Sequence, residues 1–197
     1  MKRKILVSAI IAACLSISIV ASGTLAYFTA SETAHNIITT DAIKIEIEEW
    51  QDEIGGTPYP TEPVHIMPGV TVSKIVNVKN LEASAFIRAK YQIIVKNLDG
   101  EVMDLSPETL DSIVSVDINE NWLTKDGDTE WLYHKDVVGA NGGITAPLFT
   151  EVTFSGPNMT NEYQNCTVEI IVDAQAVQSA NNGNSATKAS GWPAENN

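Results

Sequence analysis

Cysteine is nearly absent from this chain, which limits how the fold can be stabilised. The 197 residues include two cysteines, Cys14 and Cys166. Cys14 lies in an apolar run near the N-terminus, so a processed chain that keeps Cys166 alone cannot form an intramolecular disulfide. Cys166 is in phase with Val168 and Ile170 on the apolar face of a predicted strand. We therefore expect a buried thiol and a fold that depends on its core.

Basic residues are also scarce. The chain has 12 lysines and arginines against 25 aspartates and glutamates, for a formal net charge of −13. Such a surface repels nucleic acid and anionic membranes, and it favours solubility or cation binding. The acidic residues are scattered between apolar positions, which is typical of the solvated faces of strands. We expect no nucleic-acid partner.

Motifs that carry catalysis are missing. The three histidines are His35, His65 and His134, and none belongs to an H-E-x-x-H zinc motif. There is no Gly-x-Ser-x-Gly nucleophile motif and no glycine-rich phosphate loop. Asp126 and Asp128 alone supply too few oxygen ligands for a calcium loop, so they indicate a turn. We expect no catalytic residues, no metal site and no cofactor.

One long apolar run stands out at the N-terminus. The basic residues Lys2, Arg3 and Lys4 precede the run Ile5–Val20 and then small residues up to Ala26. This layout predicts a secretory signal peptide over residues 1–26, with cleavage between Ala26 and Tyr27 and membrane contact only during export. Removal of the three basic residues takes the net charge to −16. Two alternatives exist for this stretch: a transmembrane anchor, or lipoprotein processing at Cys14.

Residues 41–178 alternate between apolar and polar positions with a period of two, which predicts strands. The clearest examples are 42–50, 85–95 and 166–177, while Lys74 interrupts an apolar face and predicts a bulge or a rim position. Ser106 before Pro107 predicts a short helix to Ser112. The pattern indicates one all-β domain, an antiparallel β-sandwich with at most one or two short helices. Residues 179–197 have the composition of a flexible tail, in which only Trp192-Pro193 is a candidate for docking.

The start of the predicted mature chain carries a specific resemblance. The stretch reads Gly23-Thr24-Leu25-Ala26-Tyr27-Phe28-Thr29-Ala30-Ser31-Glu32-Thr33-Ala34. It is similar to the cleavage region of the TasA and camelysin (CalY-like) family of Gram-positive bacteria. The similarity continues through Pro68-Gly69, the strand that ends at Asn80, and 174–178. It implies processing by a SipW-type signal peptidase and a jelly-roll-like sandwich.

The resemblance also implies a function. TasA-type proteins form fibres of the extracellular biofilm matrix, and in that family the segment after the cut can be donated as a strand to a neighbouring subunit. Here the donor-strand candidate is residues 27–40, with Phe28, Ile37 and Ile38 as the side chains that a neighbour would bind. The expected partners are further copies of the chain or related matrix subunits outside the cell. The alternative is that residues 27–40 fold back on their own domain.

Two other functions remain open. Camelysin is described as a metalloendopeptidase, although the sequence contains no zinc-binding motif to support that activity here. A soluble secreted binding domain is the other alternative.

Overall fold

The computed structural model describes residues 28–35, 43–61 and 64–194. Eleven strands, one α-helix and two short 3-10 helices (Asn161–Tyr163 and Ala186–Lys188) account for the regular structure of this part of the chain. In chain order the strands and the α-helix are β1 (Phe28–His35), β2 (Ile45–Trp50), β3 (Val64–Ile66), β4 (Thr71–Asn80), β5 (Ala85–Lys96), α1 (Pro107–Ile113), β6 (Val114–Val116), β7 (Trp122–Lys125), β8 (Asp128–His134), β9 (Gly143–Ile144), β10 (Phe149–Phe154) and β11 (Thr167–Gln178). In this region no helix is long and apolar enough to cross a membrane.

The strands form two sheets. The first has six strands in the order β3-β1-β11-β5-β8-β7, and the second has β2-β4-β10-β6, with β9 paired to β4. All described strand pairs are antiparallel except β1 with β11, which run parallel. The predicted all-β sandwich is confirmed, and the parallel pair is an exception to its antiparallel pattern.

The core lies between the two sheets and follows the alternation in the sequence. Ile43, Ile45 and Ile47 turn inward from one sheet and are at most 8% exposed. Alternate residues of β5 and β11 face them from the other sheet, and the whole set forms one apolar cluster. Tyr91 and Phe149 join the sheets through an edge-to-face contact, with ring centroids 6.1 Å apart. This core replaces the disulfides that the sequence lacks.

The irregularity predicted at Lys74 is present. The pairing of β4 with β10 shifts register between Phe149 and Glu151, which oppose Val76 and Ser73. Between these two pairs β4 advances by three residues and β10 by two. The extra residue of the bulge therefore lies on β4 near Lys74. Lys74 is 3% exposed, and its Nζ lies 3.2 Å from Glu49.

The predicted helix is confirmed as α1. Ser106 Oγ accepts a hydrogen bond from the Thr109 backbone N–H at 3.2 Å, and Pro107 occupies the first turn. A side-chain cap and a proline that needs no N–H partner are typical of a helix start. The helix ends at Ile113, where the chain enters β6.

The C-terminal segment differs from the flexible tail that its composition predicts. Residues 179–194 fold back on the outer face of the six-stranded sheet, where Ala186 and Ala189 are buried beside Phe86, Trp131 and other residues of that face. The Trp192 ring lies edge-on to Tyr133, with centroids 5.7 Å apart. The candidate docking residue Trp192 therefore does dock, because an aromatic cluster on the sheet gives the segment apolar area to bury.

Three strands were not predicted. β3 and β9 have three and two residues, which is too short for alternation to be visible. β7 follows the polar run Asn119-Glu120-Asn121 and forms a hairpin with β8 through the predicted turn at Asp126-Gly127.

Candidate functional site

The main candidate site is the position in the six-stranded sheet that β1 fills. Residues Thr29–His35 pair in parallel with Thr167–Asp173 of β11. On its other side, β1 pairs with the short strand β3 in antiparallel register from Phe28 to Ala30. The first described segment of the chain is thus inserted beside its last strand.

The position exists because β11 has two edges. On one edge, all twelve residues of β11 pair with β5. On the other edge, residues 167–173 pair with β1. If β1 left the sheet, this stretch of β11 would expose a row of unpaired N–H and C=O groups, which accept another strand readily. A ladder is made by backbone groups, so the same segment of a second copy would fit the same register.

The predicted site residues fall only partly within the structure. Phe28 is the first residue of β1 and lies opposite Ile66 in the register. Ala26, Tyr27, Ile37 and Ile38 lie outside the described residues. The structure thus places β1 of the donor-strand candidate in its own sheet, which is the intramolecular arrangement that the sequence left open.

The histidine positions do not favour a shared metal ion. His65 lies opposite Thr29, whereas His35 is at the far end of β1, opposite Asp173. Six residues of strand separate Thr29 from His35, which is about 20 Å at roughly 3.3 Å per residue. A zinc ion binds each histidine nitrogen at about 2.1 Å, so two histidines that share one ion must lie close together. The backbone therefore keeps His35 and His65 apart.

His134 has a structural environment. It is 5% exposed, its Nδ1 lies 2.9 Å from the carbonyl oxygen of Asp136, and its Nε2 accepts the Ala146 N–H at 3.1 Å. Burial lowers the pKa of its imidazole below the usual value. Both ring nitrogens are thus engaged by backbone groups, so neither is available to a metal. Among the side chains that the structure describes, no three of His, Cys, Asp and Glu cluster as metal ligands.

Cys166 is buried, as predicted. Its side chain is 1% exposed, and its Sγ contacts Met103 Sδ at 3.7 Å and the Glu162 carbonyl oxygen at 3.8 Å. Burial raises the pKa of the thiol, which disfavours the reactive thiolate. Cys166 therefore acts as a core residue.

Comparison with known proteins identifies the family. The family model described as "Camelysin metallo-endopeptidase" matches residues 1–121, which is more than half of the 197 residues. The match includes the N-terminal motif, β1 to β6 and α1. No curated protein and no solved structure gives a significant match. The family that the N-terminal motif predicts is thus confirmed, and the chain belongs to the camelysin metallo-endopeptidase family.

Proposed function

We propose that this protein is an exported structural subunit that assembles into extracellular fibres by exchanging β1 between copies. In the proposed assembly, the signal peptidase cuts between Ala26 and Tyr27 and so frees the segment that contains β1. The observation that carries the proposal is the register of β1, which pairs with β11 on one side and with β3 on the other. The family match and the N-terminal motif support export.

Exchange of β1 costs little at equilibrium because the contacts in both states are the same. Each net backbone hydrogen bond is worth about 0.5–1.5 kcal/mol, and the ladder between β1 and β11 is identical within one chain or between two. The balance therefore depends on protein concentration and on the strain in the connection between β1 and β2. This is the usual logic of domain swapping.

The geometry of exchange favours filaments over closed dimers when each copy donates its β1 to one neighbour and accepts β1 from another. Such head-to-tail contacts produce open filaments unless the rotation between copies closes a ring. The net charge of −16 that the mature chain would carry opposes close approach of the copies. Backbone pairing needs no charge complementarity, so added salt will promote assembly by screening the repulsion.

Cross-linking tests the exchange directly. The register places Ser31 of β1 opposite Glu169 of β11, so cysteines at S31C and E169C form a disulfide wherever these strands pair. In C166A mature protein they are the only cysteines. We expect assembled protein to give a ladder of covalent multimers on a non-reducing gel, because the two cysteines then belong to different chains.

A matched control uses two strands that stay in one chain. Gln92 of β5 lies opposite Ile171 of β11, so Q92C with I171C, again with C166A, must give a monomer under all conditions. Protein without residues 27–40 should form no fibres in electron microscopy. Assemblies in which S31C and E169C link only within one chain would refute exchange, as would fibres from the deletion variant or a mature protein that never assembles.

We also propose that the purified protein lacks intrinsic peptidase activity. The support is the separation of His35 from His65 and the occupied nitrogens of His134. We expect no cleavage of casein with or without added zinc. Chelator-sensitive cleavage that persists through purification and is lost in H35A or H65A would contradict this proposal, whereas loss in H134A alone would need a folding control by circular dichroism.

A further inference from the structure

The strand β5 has a second edge that the fold leaves partly open. β8 pairs with it only at Arg88 and Ala89. Further along, the Met103 N–H donates to the Val95 carbonyl oxygen at 2.8 Å. Next to this bond, Lys96 and Val102 form an isolated antiparallel β-bridge. Between the β8 pairing and these contacts, residues 91–94 have no strand partner on this edge within the described part of the chain.

The backbone direction shows which groups face this gap. Both backbone groups of Ala85 bond to Val138 on this edge, at 3.0 and 2.9 Å, and the carbonyl of Val95 also points this way. Because backbone groups alternate sides along a strand, the odd-numbered residues of β5 face this edge. Tyr91 and Ile93 therefore present their N–H and C=O groups to the gap. Such exposed backbone groups are a template for strand addition.

A groove of about 980 Å³ lies along this edge. Its walls include the side chains of Tyr91 and Ile93 from β5, Leu110 from α1 and Leu132 from β8. These residues are only partly buried and pack against the core. The groove thus combines unpaired backbone groups with apolar walls, which are the two requirements for binding an extended peptide.

The groove is acidic. Asp104, Asp111, Glu130 and Asp173 line it, and Lys90 is the basic side chain of the lining. Lys90 Nζ already lies 3.7 Å from Glu130 and 4.9 Å from the centre of the Trp131 ring. Four carboxylates against one ammonium leave an excess of negative charge, which favours a cationic ligand.

We infer that the groove binds an extended peptide segment of another protein, in which basic residues alternate with apolar ones, as an added strand antiparallel to β5 at residues 91–94. Both flanking segments, β8 and Val102, pair with β5 in this direction. Alternation places apolar side chains toward Leu110 and Leu132, and basic side chains toward Glu130 and Asp173. A second copy of this acidic chain is disfavoured by charge. The groove lies on the β5 edge away from β11, and it shares Asp173 with the stretch of β11 that pairs with β1.

Fluorescence anisotropy with a labelled KVKVKVK peptide tests this inference. We expect saturable binding to the full mature protein at low salt, and at least tenfold weaker binding of EVEVEVE. Two N-methylated forms of KVKVKVK, one methylated at every valine and one at every lysine, test strand addition. One form should lose binding at least tenfold while the other keeps it, because only alternate N–H groups face β5. Equal binding of both forms would overturn the inference.

Protein variants locate the binding. D111N with E130Q should weaken KVKVKVK binding at least fivefold. The matched control is E46Q with E53Q, which removes the same charge from exposed positions elsewhere and should have no effect. An equal loss in both double variants would show general charge attraction and overturn the site. Self-association of the protein that KVKVKVK competes away would assign the groove to a second copy and also overturn the inference.

Discussion

Substitution E49L will destabilise the protein by about 3–5 kcal/mol at pH 7, because it removes the Glu49 carboxylate that pairs with the buried Lys74 ammonium. The side chains of Lys74 and Glu49 are only 3% and 14% exposed, and the Tyr59 ring covers Lys74, with Nζ 3.8 Å from the ring centre. Burial raises the pKa of Glu49 and lowers that of Lys74 to about 8, in each case against the attraction of the partner. Urea denaturation will measure the loss.

The double variant E49L with K74M should recover most of this loss and equal or exceed the parent stability. Both pKa shifts show that the cost of burial exceeds the attraction within the pair, and Glu49 Oε1 is buried with no hydrogen-bond partner among the described residues. Buried pairs of this kind are often replaced by apolar residues without loss. K79M serves as the control, since Lys79 pairs with Glu48 at the surface. A double variant as unstable as E49L would contradict this account.

The pH dependence has a defined sign. The folded-state pKa of Lys74 is about 8, against 10.5 for the free side chain. Between these values the unfolded chain binds more protons than the folded chain, so stability rises with pH in this window. K74M should remove this rise.

The parts of the fold that the sequence predicts are those with long, regular alternation. β2, β5 and β11 place apolar residues at every second position, and a strand with one buried face requires this pattern. The start of α1 was visible because Ser106 and Pro107 act locally. In these cases the physical cause and the sequence signal lie within a few residues of each other.

The remaining features depend on residues distant in sequence. The parallel pairing of β1 with β11 joins residues about 140 positions apart, and no local pattern encodes it. The open edge of β5 results from the divergence of the part of β8 that precedes Leu132, which alternation does not show. The sequence predicted the irregularity at Lys74. It did not identify Glu49 as the buried partner of Lys74, because Glu49 is one of several acidic residues in the predicted strand. Composition also misrepresented residues 179–194, because the aromatic cluster that binds them is on β5 and β8.

The cluster around Arg88 provides the second large effect. The guanidinium carbon lies 4.2 Å from the centre of the Trp131 ring and 4.8 Å from that of Trp192. Arg88 Nε and Nη2 donate to Gln175 Oε1 at 3.0 and 2.7 Å. The Tyr133 hydroxyl donates to Asp128 Oδ2 at 2.6 Å and accepts from Arg88 Nη1 at 3.2 Å. Arg88 thus links β5, β8, β11 and the C-terminal segment.

Substitution R88M will therefore cost about 2–4 kcal/mol in the free energy of unfolding and release residues 179–194 from the sheet. Gln175 is 2% exposed, and loss of both donors leaves its carbonyl unsatisfied at about 1–3 kcal/mol. Each cation–π contact adds about 0.5–2 kcal/mol. Hydrogen exchange should increase at residues 185–192 in both R88M and W192A. Gln175 should lose its hydrogen-bond donors only in R88M. R88M should therefore be the less stable of the two variants. Unchanged exchange at 185–192 in R88M would show that the apolar contacts of Ala186, Ala189 and Trp192 hold the segment without the arginine.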